Sequence, residues 1–153
     1  WKSVPYDTYW PADSYPLSYK IREKTSNIIL MRLADILLLK AEALVELDRT
    51  PEAIRIVNSI RERAGFAPSS LDENMGQARG RLAVENERQL ELYMEGQRWF
   101  DLVRNNRLLE VMQKHKDKDG RLLFAGLQAF RQLWPIPQGE KDKNTNLTQN
   151  EGY

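Results

Sequence analysis

The sequence predicts a mainly α-helical protein, and three observations carry that expectation. The run "NIILMRLADILLLKAEALVEL" (27–47) is apolar with charges recurring at helical intervals. "DRTPEA", which follows it, has the composition of a helix start, and Gly65 that of a helix stop. Farther on, Glu87, Glu91 and Glu95 recur at i, i+4, i+8, and Arg98, Asp101 and Arg104 at i, i+3, i+6.

Each element follows from its residues. Residues 1–26 hold Pro5, Pro11 and Pro16 without sustained periodicity and read as an irregular, aromatic-rich loop. The first helix spans about Asn27 to Leu47. Its length would suffice for a bilayer, but Arg32, Asp35, Lys40, Glu42 and Glu46 interrupt it, and such charges are expensive in lipid. It therefore reads as a buried helix whose charges Asp35, Glu42 and Glu46 share one narrow stripe with Leu39, with Arg32 beside it. In the second helix Thr50 suits the N-cap, Pro51 the first helical position and Glu52 the positive helix end. This helix runs to about Ala64, where Gly65 can adopt the left-handed cap and Phe66 can pack back.

The two form an αα-hairpin over 27–66, with Ala41 and Ala53 small enough to sit where the helices cross. One such unit resembles a tetratricopeptide-type pair, and no second copy follows. A lone pair cannot cover both of its faces, so later helices or upstream repeats must pack on it. Residues 67–80 read as a polar loop. A third helix is expected from about Arg81 to Glu95, bent near Gly96, and a fourth from about Arg98 to Lys114, giving a helix pair over 81–115. "HKDKDGR" reads as a charged turn. Phe124, Leu127, Phe130, Leu133 and Trp134 form a short apolar stretch, "LWPIP" must be extended, and 120–153 reads as a tail without helical or strand period. A single domain over 1–153 with long ordered loops is the expected arrangement.

The 23 basic and 22 acidic residues nearly cancel, so no net field favours nucleic acid. With no cysteine, there is no disulfide framework or thiol nucleophile. The chain begins at Trp1 without a signal-peptide pattern, and a piece of a longer protein is expected.

The densest chemistry lies in "ERQLELYMEGQRWFDLVR" (87–104). As a metal site it fails on ligand type, because di-iron bundles need Glu-x-x-His pairs and the one histidine, His115, has no such partner. A glycosidase pair would need one carboxyl with a raised pKa, whereas neighbouring arginines hold acids ionised. Glu87, Arg88, Glu91, Glu95, Arg98, Asp101 and Arg104 therefore read as a structural ion-pair network. No serine sits in a G-x-S-x-G elbow, and the glycines form no phosphate-binding loop, so no catalytic residue, metal or cofactor is expected. Tyr6, Tyr9, Trp10 and Tyr15 are the candidate ligand-binding residues, since flat aromatic faces with polar edges suit stacking on sugar rings. They could equally cover the apolar surface of the first helix.

Three stretches together carry a resemblance. "RLADILLLKAEALVE" with "IVNSIRERAG", then "ENERQLELYMEGQRWFDLVR", then "LWPIPQGEKDKNTNLTQNEGY" resemble the C-terminal part of the SusD/RagB family. The middle block, ER-x-x-EL-x-x-EG-x-R-x-FDL-x-R, is the most specific. Glu151 departs from the proline usual before the final Gly-Tyr. The resemblance implies a non-enzymatic, lipid-anchored protein on the external face of the bacterial outer membrane. It would bind an oligosaccharide or other nutrient for a SusC-like TonB-dependent transporter. The anchor would lie in an N-terminal part absent from this chain. A helical-repeat module that docks the transporter without a ligand site of its own is the alternative. The family's shared motifs do not coincide with its ligand contacts, so no binding residue carries over.

Overall fold

The computed structural model describes residues 30–117 and 119–153; the first three residues expected in the first helix and the aromatic loop lie outside them. The described residues are mainly helical, in the order α1 (Leu33–Glu46), α2 (Thr50–Arg63), α3 (Gln77–Glu91), α4 (Arg98–Arg104), α5 (Leu108–Gln113), a 3-10 turn (Ala129–Gln132) and α6 (Gln138–Lys143). They fall into two compact units, 30–101 and 102–153, with α4 running across the boundary.

In the first unit α1 and α2 form the expected hairpin, and α3 packs on both. Ala41 and Ala53 are fully buried among Leu38, Leu44, Val45, Val57, Ile60 and Val84, so the small residues do lie at the heart of the packing. The turn between α1 and α2 is tight. Asp48 takes a positive φ of 60°, and the Arg49 amide returns to the Leu44 carbonyl. At the other end of α2 Gly65 has φ 95°, its amide donates to Glu62 and that of Phe66 to Arg61. The Arg61 guanidinium stacks over the Phe66 ring at 4.4 Å.

Several expected boundaries shift, each for a physical reason. Thr50 is not the cap: Arg49 occupies that position, and Thr50 begins the helix with its hydroxyl buried and unbonded. Asp35, on the charged stripe of α1, is buried. α3 starts at Gln77, so Gly80 is helical rather than part of a loop. A β-carbon at Gly80 would lie 2.7 Å from Thr50 Cγ2, and the glycine is therefore what lets α3 approach the hairpin turn. α3 ends at Glu91, not Glu95, because Met94 and Gly96 adopt positive φ and reverse the chain. The expected fourth helix is two, broken where Asn106 takes φ 55°, a conformation asparagine tolerates better than most residues.

In the second unit the charged turn is closed by an isolated antiparallel bridge between Lys116 and Leu122. "LWPIP" is extended at Leu133 and Pro137, and Pro137 leads directly into α6, a helix the tail's composition did not announce. No helix among the described residues is long and apolar enough to cross a membrane.

Candidate functional site

α3 and the turn after it present acids and arginines to three neighbours, and nearly every partner lies outside the 87–104 stretch. At the centre is Arg88, only 2% exposed. Its guanidinium lies 2.9 Å from Asp35 on α1 and 2.9 Å from Asp101 on α4. Arg88 Nε donates to Asp101 at 3.0 Å. Toward α1, Nη1 donates to the Asp35 backbone carbonyl at 3.3 Å, while Asp35 Oδ1 is in ionic contact without hydrogen-bond geometry. Burial alone would lower the guanidinium pKa; the two aspartates outweigh it, and Arg88 stays firmly charged.

Around this centre the other pairs join separate elements. Arg61 on α2 donates to Glu87 at 3.0 Å, and Arg98 on α4 donates to Glu85 at 3.1 Å. Glu91 accepts from Arg63 on α2 and from Arg32 ahead of α1, and Arg32 also donates to Glu95 at 2.9 Å. The Arg32 guanidinium reaches the Glu91 backbone carbonyl as well, closing the C-terminal end of α3. Burial pushes the Glu91 carboxyl up, but Arg63 and Arg32 together hold it below the usual carboxylate range. Arg104 ends α4 at an exposed position in the second unit.

The i, i+4, i+8 spacing of Glu87, Glu91 and Glu95 does not run along one helix, since Glu95 lies in the turn that follows α3. No spacing in the sequence gives Arg61, Arg63 or Glu85 a partner, and Arg32 and Asp35 stand there as charges on or beside the first helix. A charge in the middle of an apolar helix is itself a signal, because it cannot be buried without a partner.

Chemically, the lattice offers salt-bridged carboxylates and charged guanidiniums. Among the described residues no three histidine, aspartate or glutamate side chains converge on a point where a metal could sit. His115 is exposed beside Phe124. The Ser59 hydroxyl donates to the Ile56 carbonyl, and that of Ser70 accepts from Arg61. A groove of about 540 Å3 runs along the outer side of α3, floored by Leu71, Leu82 and Leu90 and edged by Arg79, Asn86 and Gln89. Glu87, the carboxylate in its lining, is taken by Arg61. Such a groove supplies apolar contact and hydrogen-bond donors, with no acid/base pair. Tyr6, Tyr9, Trp10 and Tyr15 lie outside the described residues.

The chain is 40% identical to SusD-like protein P38 of Formosa agariphila over 135 residues, covering 84% of this chain and 25% of that protein. With SusD-like protein P2 of the same organism it shares 35% identity over 86% of this chain and 27% of the relative. With the starch-binding protein SusD of Bacteroides thetaiotaomicron it shares 29% over 93% of this chain and 24% of the relative. The chain thus spans about a quarter of the length of these curated relatives. No solved structure matches it. The family model described as the SusD family matches residues 6–153, nearly the whole chain, and this chain belongs to that family.

Proposed function

We propose that this chain is the C-terminal part of a nutrient-binding protein at the bacterial cell surface. It would hold a carbohydrate without cleaving it and pass it to a SusC-like TonB-dependent transporter in the outer membrane, to which a lipid anchor upstream would tether it. Family membership over 6–153 carries this reading, and a relative named as starch-binding favours carbohydrate as the ligand class. The geometry supports a binding role in a further way. Glu85, Glu87, Glu91, Glu95 and Asp101 are all salt-bridged to arginines, which suits a scaffold that joins helices. We assign the 87–104 charges to that scaffold, and the ligand contact to the aromatics Tyr6, Tyr9, Trp10 and Tyr15.

Isothermal titration of the full gene product against starch and a panel of other polysaccharides tests the proposal. Saturable binding with no release of reducing ends is expected, and Trp10→Ala should weaken it without lowering the melting temperature. Release of reducing ends would overturn the non-catalytic reading. Retained association with the transporter and no glycan binding would favour a docking module instead.

A further inference from the structure

Where α3 stops is decided by a side chain 59 residues away. Local chemistry favours another turn. Residues 92–95, "LYME", hold no helix breaker, and Gly96 offers the left-handed residue that closes helices. A helix continued to Glu95 would give the Glu91 carbonyl to the Glu95 amide. In the structure that carbonyl accepts instead from the Arg32 guanidinium, and the Glu95 amide turns back to the Leu92 carbonyl at 3.0 Å. The same guanidinium donates to the Glu91 carboxylate and, through Nε, to both oxygens of the Glu95 carboxylate at 2.9 and 3.0 Å.

The stop has a local cost. Met94 takes φ 63°, a left-handed conformation uncommon outside glycine, asparagine and aspartate. Tyr93 and Met94 remain exposed, at 62% and 51%, so burial of their side chains does not offset that strain. Leu92, by contrast, is buried and its amide still donates to the Arg88 carbonyl at 2.9 Å, so the helical path runs up to the strained residues. Arg63 also reaches Glu91, but through the carboxylate, and leaves the backbone carbonyl to Arg32. Arg32 itself stands just ahead of α1 in an extended conformation, φ −145° and ψ 165°. One guanidinium thus ties the chain's entry into α1 to its exit from α3.

We propose that Arg32 is a strap on a two-state segment. Engaged, it ends α3 at Glu91 and leaves 92–97 as the connection to α4. Withdrawn, it lets α3 gain a turn through Glu95, with Gly96 as the cap and 96–97 as the whole connection. A movement of the chain where it enters α1 is thereby relayed to the start of α4.

Hydrogen exchange at single amides of the full gene product tests the strap. Arg32→Met keeps an unbranched side chain and removes its donors. Slower exchange at the Glu95 and Gly96 amides is expected, because both enter the lengthened helix. A residue that only stabilised the fold would give the opposite, since its loss speeds exchange. Unchanged or faster exchange at these two amides, with α1 and α2 still protected, would overturn the proposal. Should exchange quicken throughout α1–α3, Met94→Ile decides, because it leaves Arg32 in place and a β-branched side chain resists the left-handed conformation. Slower exchange at Glu95 and Gly96 in that variant supports the strap, and unchanged or faster exchange there rejects it.

Discussion

At the residue scale, burial separates charges that look alike in the sequence. Arg88 and Arg98 both read as basic residues near acids, but Arg88 is enclosed between Asp35 and Asp101, while the Arg98 side chain remains 31% exposed. Removing Arg88 strands two buried aspartates, so Arg88→Ala should destabilise the protein by about 3–5 kcal/mol. Arg98→Ala leaves one buried carboxylate, Glu85, whose arginine is already partly solvated, and should lose less, about 1–3 kcal/mol. Urea unfolding of both variants checks this, and equal losses would reject the distinction. Gly80 gives a second prediction. Gly80→Ala adds a methyl against Thr50 Cγ2, an overpacking worth about 1–3 kcal/mol, offset by up to about 1 kcal/mol of helix propensity. Thr50→Ser removes that methyl and keeps the hydroxyl, so Gly80→Ala should become neutral or stabilising in its background. Persistent destabilisation in the double variant would place the strain elsewhere. The charges were legible in the sequence; their partners were not, because Arg88 and Asp35 are 53 residues apart and no spacing rule connects them.

At the scale of elements, the ion pairs stitch α3 to α1, α2 and α4 and make that packing sensitive to acid. The Glu91 carboxyl is held below its ordinary range in the folded protein. A depressed folded-state pKa contributes stability that is full above the unfolded value, about 4.3 for glutamate, and is lost as pH falls through the folded value. Melting temperature should therefore drop on acidification below about pH 4, and Glu91→Gln should flatten that limb. An unchanged acid limb in the variant would assign the effect to other carboxylates. At the C-terminal end the Gln149 side chain holds the Ile136 backbone, and Gly152 lies against the Phe130 ring. Gly152→Ala must push the turn off Phe130, and hydrogen exchange at the Ile136 amide should accelerate while exchange within α1–α3 stays the same. Element types were legible from periodicity and end signals for α1 to α3, as with Pro51 and Gly65, whereas α6 has neither. Boundaries failed where a positive φ overrode the pattern, at Met94 just beyond α3 and Asn106 between α4 and α5, and where Gly80 reads as loop although close packing on Thr50 accounts for it inside α3.

For the whole molecule, scaffold and ligand contact are expected to separate. In the full gene product, Glu91→Gln should lower the melting temperature and leave polysaccharide affinity unchanged, as titration calorimetry can measure. Loss of binding at an unaltered melting temperature would move Glu91 into the ligand site. The apolar stripe of α1 shows the same division between sequence and fold. α3 covers one side of the hairpin, while Leu33, Ile36 and Leu47 still face outward. By itself the sequence determined the helical class, the hairpin and the family, because these rest on local periodicity, capping residues and short ordered motifs. Only the tertiary structure decided which acid meets which arginine, why Gly80 and Gly152 must lack a side chain, and where α3 ends. Those facts depend on distances between residues far apart in the chain, which no local pattern encodes.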